Sequence, residues 1–137
     1  MKLSVIILTK DAEEKLEDCL RSVGGLGDII ILDGGSTDKT LDISRKYDAK
    51  IFKQKEGSYD TWRNQGKEVA KTDWIFYIDP DERVTPRLRE EILRIATGHV
   101  TGSPPKKPNK RGTFLGVPLI SPSAVAYAIP RRNFVFG

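Results

Sequence analysis

Two stretches, Lys2–Leu8 (KLSVIIL) and Asp28–Leu32 (DIIIL), are runs dominated by apolar, largely β-branched residues. A strand with one wet face alternates apolar and polar side chains. A continuous run fits a strand covered on both faces, as in a parallel sheet sandwiched by helices. Between the two runs, Leu16, Leu20 and Val23 recur at helical spacing. Asp11 reads as the cap of that helix, with Glu14 completing a capping box, and Gly24, Gly25 and Gly27 end it. The pattern then repeats. DGGSTDKT is a tight turn, with Ser36 capping a helix that runs to about Tyr47, and Ala49–Phe52 is a short third strand. Ser58 caps a third helix through Val69 and Ala70, and Asp73–Ile78 is a fourth strand. Thr85-Pro86 opens a fourth helix with Leu88, Ile92 and Ile95 on its buried face, closed by Gly98. Four strand–helix pairs predict an α/β fold with a mostly parallel central sheet flanked by helices.

Beyond Gly98 the character changes. Residues 99–113, rich in proline, glycine and lysine, read as a flexible basic loop, and residues 114–137 as further strands of the same domain. Charge divides at the same place. Residues 1–91 carry sixteen Lys/Arg against nineteen Asp/Glu, whereas residues 92–137 carry seven Lys/Arg and no acid. The basic excess suits an anionic ligand or an anionic membrane face, or is simply a solvated loop. The single cysteine, Cys19, precludes an internal disulfide and reads as helix packing in a reducing compartment. Met1-Lys2 leads directly into a strand with no leader pattern, and no apolar stretch is long enough to span a bilayer. His99 stands without a second histidine or a nearby cysteine, so zinc chemistry is not indicated. Trp62, Trp74 and the tyrosines read mostly as core. Basic and aromatic residues do not interleave as nucleic-acid binding requires.

Ligands of open parallel sheets gather at the carboxyl ends of the strands. Three polar clusters fall there: Thr9-Lys10-Asp11, Asp33-Gly34-Gly35-Ser36 and Asp79-Pro80-Asp81-Glu82. Asp33 is placed to accept hydrogen bonds from a base imide or ribose hydroxyls, unless it merely caps its turn. Gly34 and Gly35 let the backbone turn beside a flat ligand. Asp79 and Asp81 offer two hard oxygen ligands that suit Mg²⁺ or Mn²⁺ held jointly with a diphosphate. The plain alternative is an exposed acidic turn. Arg63, with Asn64, lies in the helix before the fourth strand, where a guanidinium fork can meet a phosphate.

These segments together resemble the family 2 glycosyltransferases of the GT-A fold. The resemblance rests on D-x-G-S-T-D-x-T over Asp33–Thr40 and W-x-x-x-x-D-x-D-E over Trp74–Glu82, in that order, and resumes at YAIPRRNFVFG. The sequence is most similar to members that build lipopolysaccharide cores and related glycans. The resemblance implies inverting transfer of a sugar from a nucleotide-diphospho-sugar, often a UDP-sugar, to a glycan or lipid-linked acceptor. It implies nucleotide contacts from Thr9, Asp11, Asp33, Arg63, Asn64 and Asp79, and a metal site of Asp79 and Asp81 for Mn²⁺ or Mg²⁺. Arg131 and Arg132 would belong to the donor or acceptor pocket. The expected setting is cytoplasmic, at the inner face of a membrane.

Three departures stand out. Asp11 replaces the family's usual asparagine, and Gly34 replaces a second aspartate found in many members. An inverting transfer also needs a general base to deprotonate the acceptor hydroxyl. In the family that acid lies further along, but no Asp or Glu follows Glu91 here, which leaves Glu82 as the stand-in. Residues 1–98 are thus expected to be the donor-binding part, with the acceptor part short or missing and edge strands open to self-association. A non-catalytic nucleotide-binding or assembly module is the alternative. Aspartate-nucleophile phosphatases are set aside, because they want D-x-D after the first strand with Thr or Val where Arg83 stands.

Overall fold

The computed structural model describes residues 3–97. Four strands alternate with four helices: β1 (Leu3–Thr9), α1 (Glu13–Val23), β2 (Asp28–Asp33), α2 (Thr40–Lys46), β3 (Lys50–Lys53), α3 (Tyr59–Val69), β4 (Trp74–Ile78) and α4 (Pro86–Ala96). All neighbouring strands pair in parallel, in the order β3-β2-β1-β4. The expected α/β architecture is therefore present, with strand and helix bounds within a few residues of those expected.

The continuous apolar runs are explained by two layers of packing. Leu3, Val5 and Ile7 of β1 and Ile31 of β2 face one core with Leu16, Cys19, Leu20 and Val23 of α1 and Ile92 of α4. Ile43 and Tyr47 of α2 pack against its edge. Ile6, Ile30 and Leu32 point the other way, to a smaller core closed by Val69 and Ala70 at the end of α3. Period-two alternation therefore exists inside the runs, but both sets of side chains are covered. Cys19 is completely buried, as its helical spacing suggests.

Glycine shapes two close approaches. A Cβ on Gly27 would lie 2.0 Å from the Leu3 carbonyl oxygen, so only glycine lets the chain enter β2 alongside β1. A Cβ on Gly66 would meet the Tyr77 hydroxyl at 2.6 Å and Ile6 Cδ1 at 2.8 Å, so α3 can lie directly on the sheet there.

The helix starts divide into one that follows local chemistry and three that do not. Thr85 caps α4 as expected, its Oγ1 accepting the Leu88 N–H at 3.2 Å, with proline at the helix's first turn. Ser58 precedes α3, but its side chain makes no capping hydrogen bond. Asp11 does not cap α1 and Ser36 does not cap α2. The helices begin later, after Ala12 and Lys39, and both side chains are used between loops. Tyr59 is also no core residue: it is 44% exposed, while Trp62, Trp74, Tyr47 and Tyr77 are half-buried. The basic loop 99–113, His99, the strands expected over 114–137 and Arg131 and Arg132 lie outside the described residues.

Candidate functional site

The strand order places β1 between β2 and β4, so the three polar clusters leave the sheet side by side. Thr9 is the Cα partner of Asp33, and Ile7 that of Ile78. Asp79 therefore leaves β4 one strand over from Thr9 and two from Asp33, roughly 10 Å at ordinary strand spacing. The chain also reverses direction across the sheet here, since β2 and β3 lie on one side of β1 and β4 on the other. Such a reversal opens a crevice at the carboxyl edge, where α/β sheets take their ligands.

Asp33 organises the centre of this edge. It is only 5% exposed. Its Oδ1 accepts the hydroxyls of Thr9 (3.1 Å) and Ser36 (2.5 Å), and its Oδ2 accepts the N–H groups of Gly35 (2.9 Å) and Ser36 (2.8 Å). Burial alone would push its carboxyl up, but the Ser36, Gly35 and Thr9 hydrogen bonds together hold it below the usual carboxylate range. These four bonds fill an ionised carboxylate's ordinary capacity. Asp33 thus shapes the loop, and its acceptor sites are already engaged by the protein.

The first two loops are stitched together. Asp11 has φ +46, the left-handed region that asparagine and aspartate tolerate best among side-chain-bearing residues. Its N–H donates to Ser36 Oγ at 2.9 Å, and its Oδ1 accepts the Thr37 N–H at 2.8 Å. The Ala12 N–H donates to Thr40 Oγ1 (2.8 Å) and the Glu13 N–H to Asp38 Oδ2 (3.0 Å). In return, the Lys39 N–H donates to Glu13 Oε2 at 2.9 Å. The leading amides of α1 are therefore satisfied from the neighbouring loop.

The acidic turn after β4 is closed by its own glutamate. Glu82 Oε2 accepts the Asp79 N–H, and the Glu82 N–H donates to the Asp79 carbonyl, both at 3.0 Å. This gives Glu82 a turn-closing role, which disfavours it as a free general base. The Cys19 thiol lies beneath, donating to the Asp79 carbonyl at 3.5 Å. Burial pushes this thiol up to about 12, the Arg83 cation opposes the rise, and the charges of Glu82, Asp81 and Asp79 add to it. All three acids are thus within electrostatic reach of one sulfur. Among the described residues, no set of three His, Cys, Asp or Glu could hold a metal ion unaided.

On the opposite face, the Arg63 guanidinium carbon stands 4.8 Å from the Tyr59 ring centroid and 5.6 Å from that of Tyr77. The Tyr77 hydroxyl donates to the Arg63 carbonyl at 2.6 Å. Asn64 follows Arg63 on α3 and is exposed.

Comparison with known proteins shows the family of the chain. The sequence profile described as Glycosyl transferase family 2 matches residues 4–127. The chain belongs to glycosyl transferase family 2. A Rickettsia bellii relative described as an uncharacterized glycosyltransferase is 34% identical over 92 residues, covering 66% of this chain and 31% of that protein. YibD of Escherichia coli K12, with the same description, is 30% identical over 104 residues, 69% of this chain and 30% of that protein. The chain spans about a third of the length of the curated relatives it matches. Among solved structures, S. aureus TarS 1–349 superposes with TM-score 0.59 at 24% identity, covering 72% of this chain and 33% of that one. Glucosyl-3-phosphoglycerate synthase from Mycobacterium tuberculosis gives TM-score 0.59 at 20% identity, covering 71% and 40%. At these identities the likeness establishes the fold, which is GT-A-like.

Of the residues singled out in this family 2 chain, Thr9, Asp11 and Asp33 share one hydrogen-bonded group, with Asp79 and Asp81 on the adjoining turn. Arg63 and Asn64 sit on α3. Gln54 was missed. It follows β3 directly, and the only sequence signal for it was a polar side chain at a strand's carboxyl end, the same signal that marks Asp33.

Proposed function

We propose that this chain forms the donor-binding part of an inverting glycosyltransferase that moves a sugar from a nucleotide-diphospho-sugar, a UDP-sugar in the first instance, to a glycan or lipid-linked acceptor. The observation that carries the reading is the convergence of the Thr9–Asp33 group and the Asp79–Asp81 turn at the switch point of the sheet. The TarS structure in complex with UDP, with TM-score 0.57 and 24% identity, supports a uridine nucleotide as donor.

The loop chemistry explains why a metal suits this site. Many nucleotide sites hold phosphate on free amides at a helix N-terminus. Here the amides of Asp11, Ala12 and Glu13 are taken by Ser36, Thr40 and Asp38. The charge of a diphosphate must therefore be met by cations. Mg²⁺ and Mn²⁺ bind through one or two carboxylates plus phosphate oxygens and water, a set that Asp79 and Asp81 fit. The ion would neutralise charge on the departing diphosphate. Asp79 and Asp81 would orient it, the hydrogen-bonded group of Thr9, Asp33 and Ser36 would seat the nucleoside, and Arg63 would add a further cation. The accompanying proposal for setting is the cytoplasm, at the inner face of a membrane that the basic segment 99–113 would approach.

Calorimetry of UDP binding with and without Mn²⁺ tests this reading. Binding should depend on the metal, and Asp81→Asn should remove that dependence while the fold melts cooperatively. UDP binding that is absent, or indifferent to both the metal and Asp81, would defeat it. A second reading, donor binding without transfer, is favoured by the engagement of Glu82 in its turn. Tight UDP-sugar binding with neither hydrolysis nor transfer would select it.

A further inference from the structure

A nucleobase at this edge needs hydrogen-bond acceptors, and Asp33 has none to spare. Gln54 does. Its N–H donates to the Asp33 carbonyl at 2.8 Å, which sets its backbone beside the Asp33–Ser36 loop. Its Nε2 donates to the Leu32 carbonyl at 3.0 Å, and this fixes which end of the amide is which. The oxygen is then turned toward Gly34. A Cβ on residue 34 would lie 2.9 Å from Gln54 Oε1 and 3.4 Å from the Thr9 carbonyl oxygen. Among the described residues, Oε1 accepts no hydrogen bond from the protein. A half-buried, immobilised acceptor with no donor among the described residues is where a ligand's N–H gains most, because none of them has to be displaced.

We infer that Gln54 reads the nucleobase: its Oε1 accepts a ring N–H on the pairing edge of the base, and glycine at 34 is what leaves it room to do so. This rests on the donor-site reading above. Uracil and guanine carry such an N–H, whereas cytosine and adenine present a bare ring nitrogen there and would set one lone pair against another. A side chain at 34 would displace the Gln54 amide, so residues 34 and 54 act as a pair.

The test is calorimetry of UDP, GDP, CDP and ADP, each with Mn²⁺, on the full chain and on Gln54→Ala and Gly34→Val. The unmodified chain should favour UDP or GDP over CDP and ADP by about tenfold, the size of one hydrogen bond near the upper end of the usual net range. The UDP and GDP arms decide between pyrimidine and purine. Gln54→Ala should erase the preference while keeping dependence on Mn²⁺. Gly34→Val attacks the same contact from the other partner, crowding the Gln54 amide without offering an acceptor of its own, and should do likewise, which keeps the test decisive if the first variant folds poorly. A preference that survives either substitution in a folded protein overturns the inference and leaves the donor site standing. Failure of the unmodified chain to bind any of the four overturns both.

Discussion

Replacing Asp33 with alanine removes the acceptor of four hydrogen bonds at once. Bonds to a charged group contribute about 1.5–3 kcal/mol each, but they do not add. The amides of Gly35 and Ser36 lie near the surface and can turn to water, whereas Thr9 is 2% exposed and its hydroxyl cannot. The expected loss is therefore about 3–4 kcal/mol, a large share of the roughly 5–15 kcal/mol of a typical domain. Asp33→Asn should behave differently. Its amide oxygen can take the two backbone N–H groups, and its NH₂ can donate to the Thr9 and Ser36 hydroxyls, which rotate to accept. That variant should lose only about 1 kcal/mol, the charge assistance alone. Urea titration followed by fluorescence of Trp62 and Trp74 reads both. With a slope of about 1.5 kcal/mol per molar, alanine should lower the midpoint by about 2 M and asparagine by under 1 M. Acid supplies the internal control. Because folding depresses the Asp33 carboxyl, its contribution is present above its ordinary value of 3.8 and is lost as pH falls through the lower folded value. The native chain should lose stability across that window, and the asparagine variant should lack that component. An alanine variant within about 0.5 M of the parent, or an asparagine variant as weak as alanine, would refute the argument.

Other outcomes follow from single features. Cys19, fully buried and with its thiol pushed up to about 12, should resist maleimide at pH 8 until urea unfolds the chain; rapid native labelling would contradict its placement. Thr85→Ala should cost about 1 kcal/mol by urea titration, and Thr85→Ser much less, since the hydroxyl cap on Leu88 would survive. Gly27→Ala should lower the melting temperature markedly, at a cost of about 1–3 kcal/mol or more, because the new methyl meets the Leu3 carbonyl oxygen inside paired backbone; a neutral result would mean that β1 and β2 can shift apart there.

The layered sheet was legible because its signals are local and redundant: continuous branched runs for strands buried on both sides, helical spacing of Leu16, Leu20 and Val23, and Thr85-Pro86 at a helix start. The rim was legible only in outline. Asp11 and Glu14 match a capping box by spacing, yet the amides they were expected to serve are met by Ser36, Asp38 and Thr40, about 25 residues away in the chain. No periodicity encodes such a partner. Glu82 reads as the stand-in base because no acid follows Glu91 in the sequence, but the fold turns it back onto the Asp79 amide. Gln54 gave almost no signal, since the room its amide occupies is left by the missing side chain of Gly34, in the turn after a different strand. Tyr59 reads as core by spacing, but it is 44% exposed, with the Arg63 guanidinium over its ring.

The stitching of the first loop to the second has a dynamic consequence. Neither can fray alone: lifting residues 36–40 uncovers the backbone of residues 11–13, so the two should exchange amide hydrogens as a single cooperative unit. Whatever seats itself against one lip of the crevice will quieten the other without touching it.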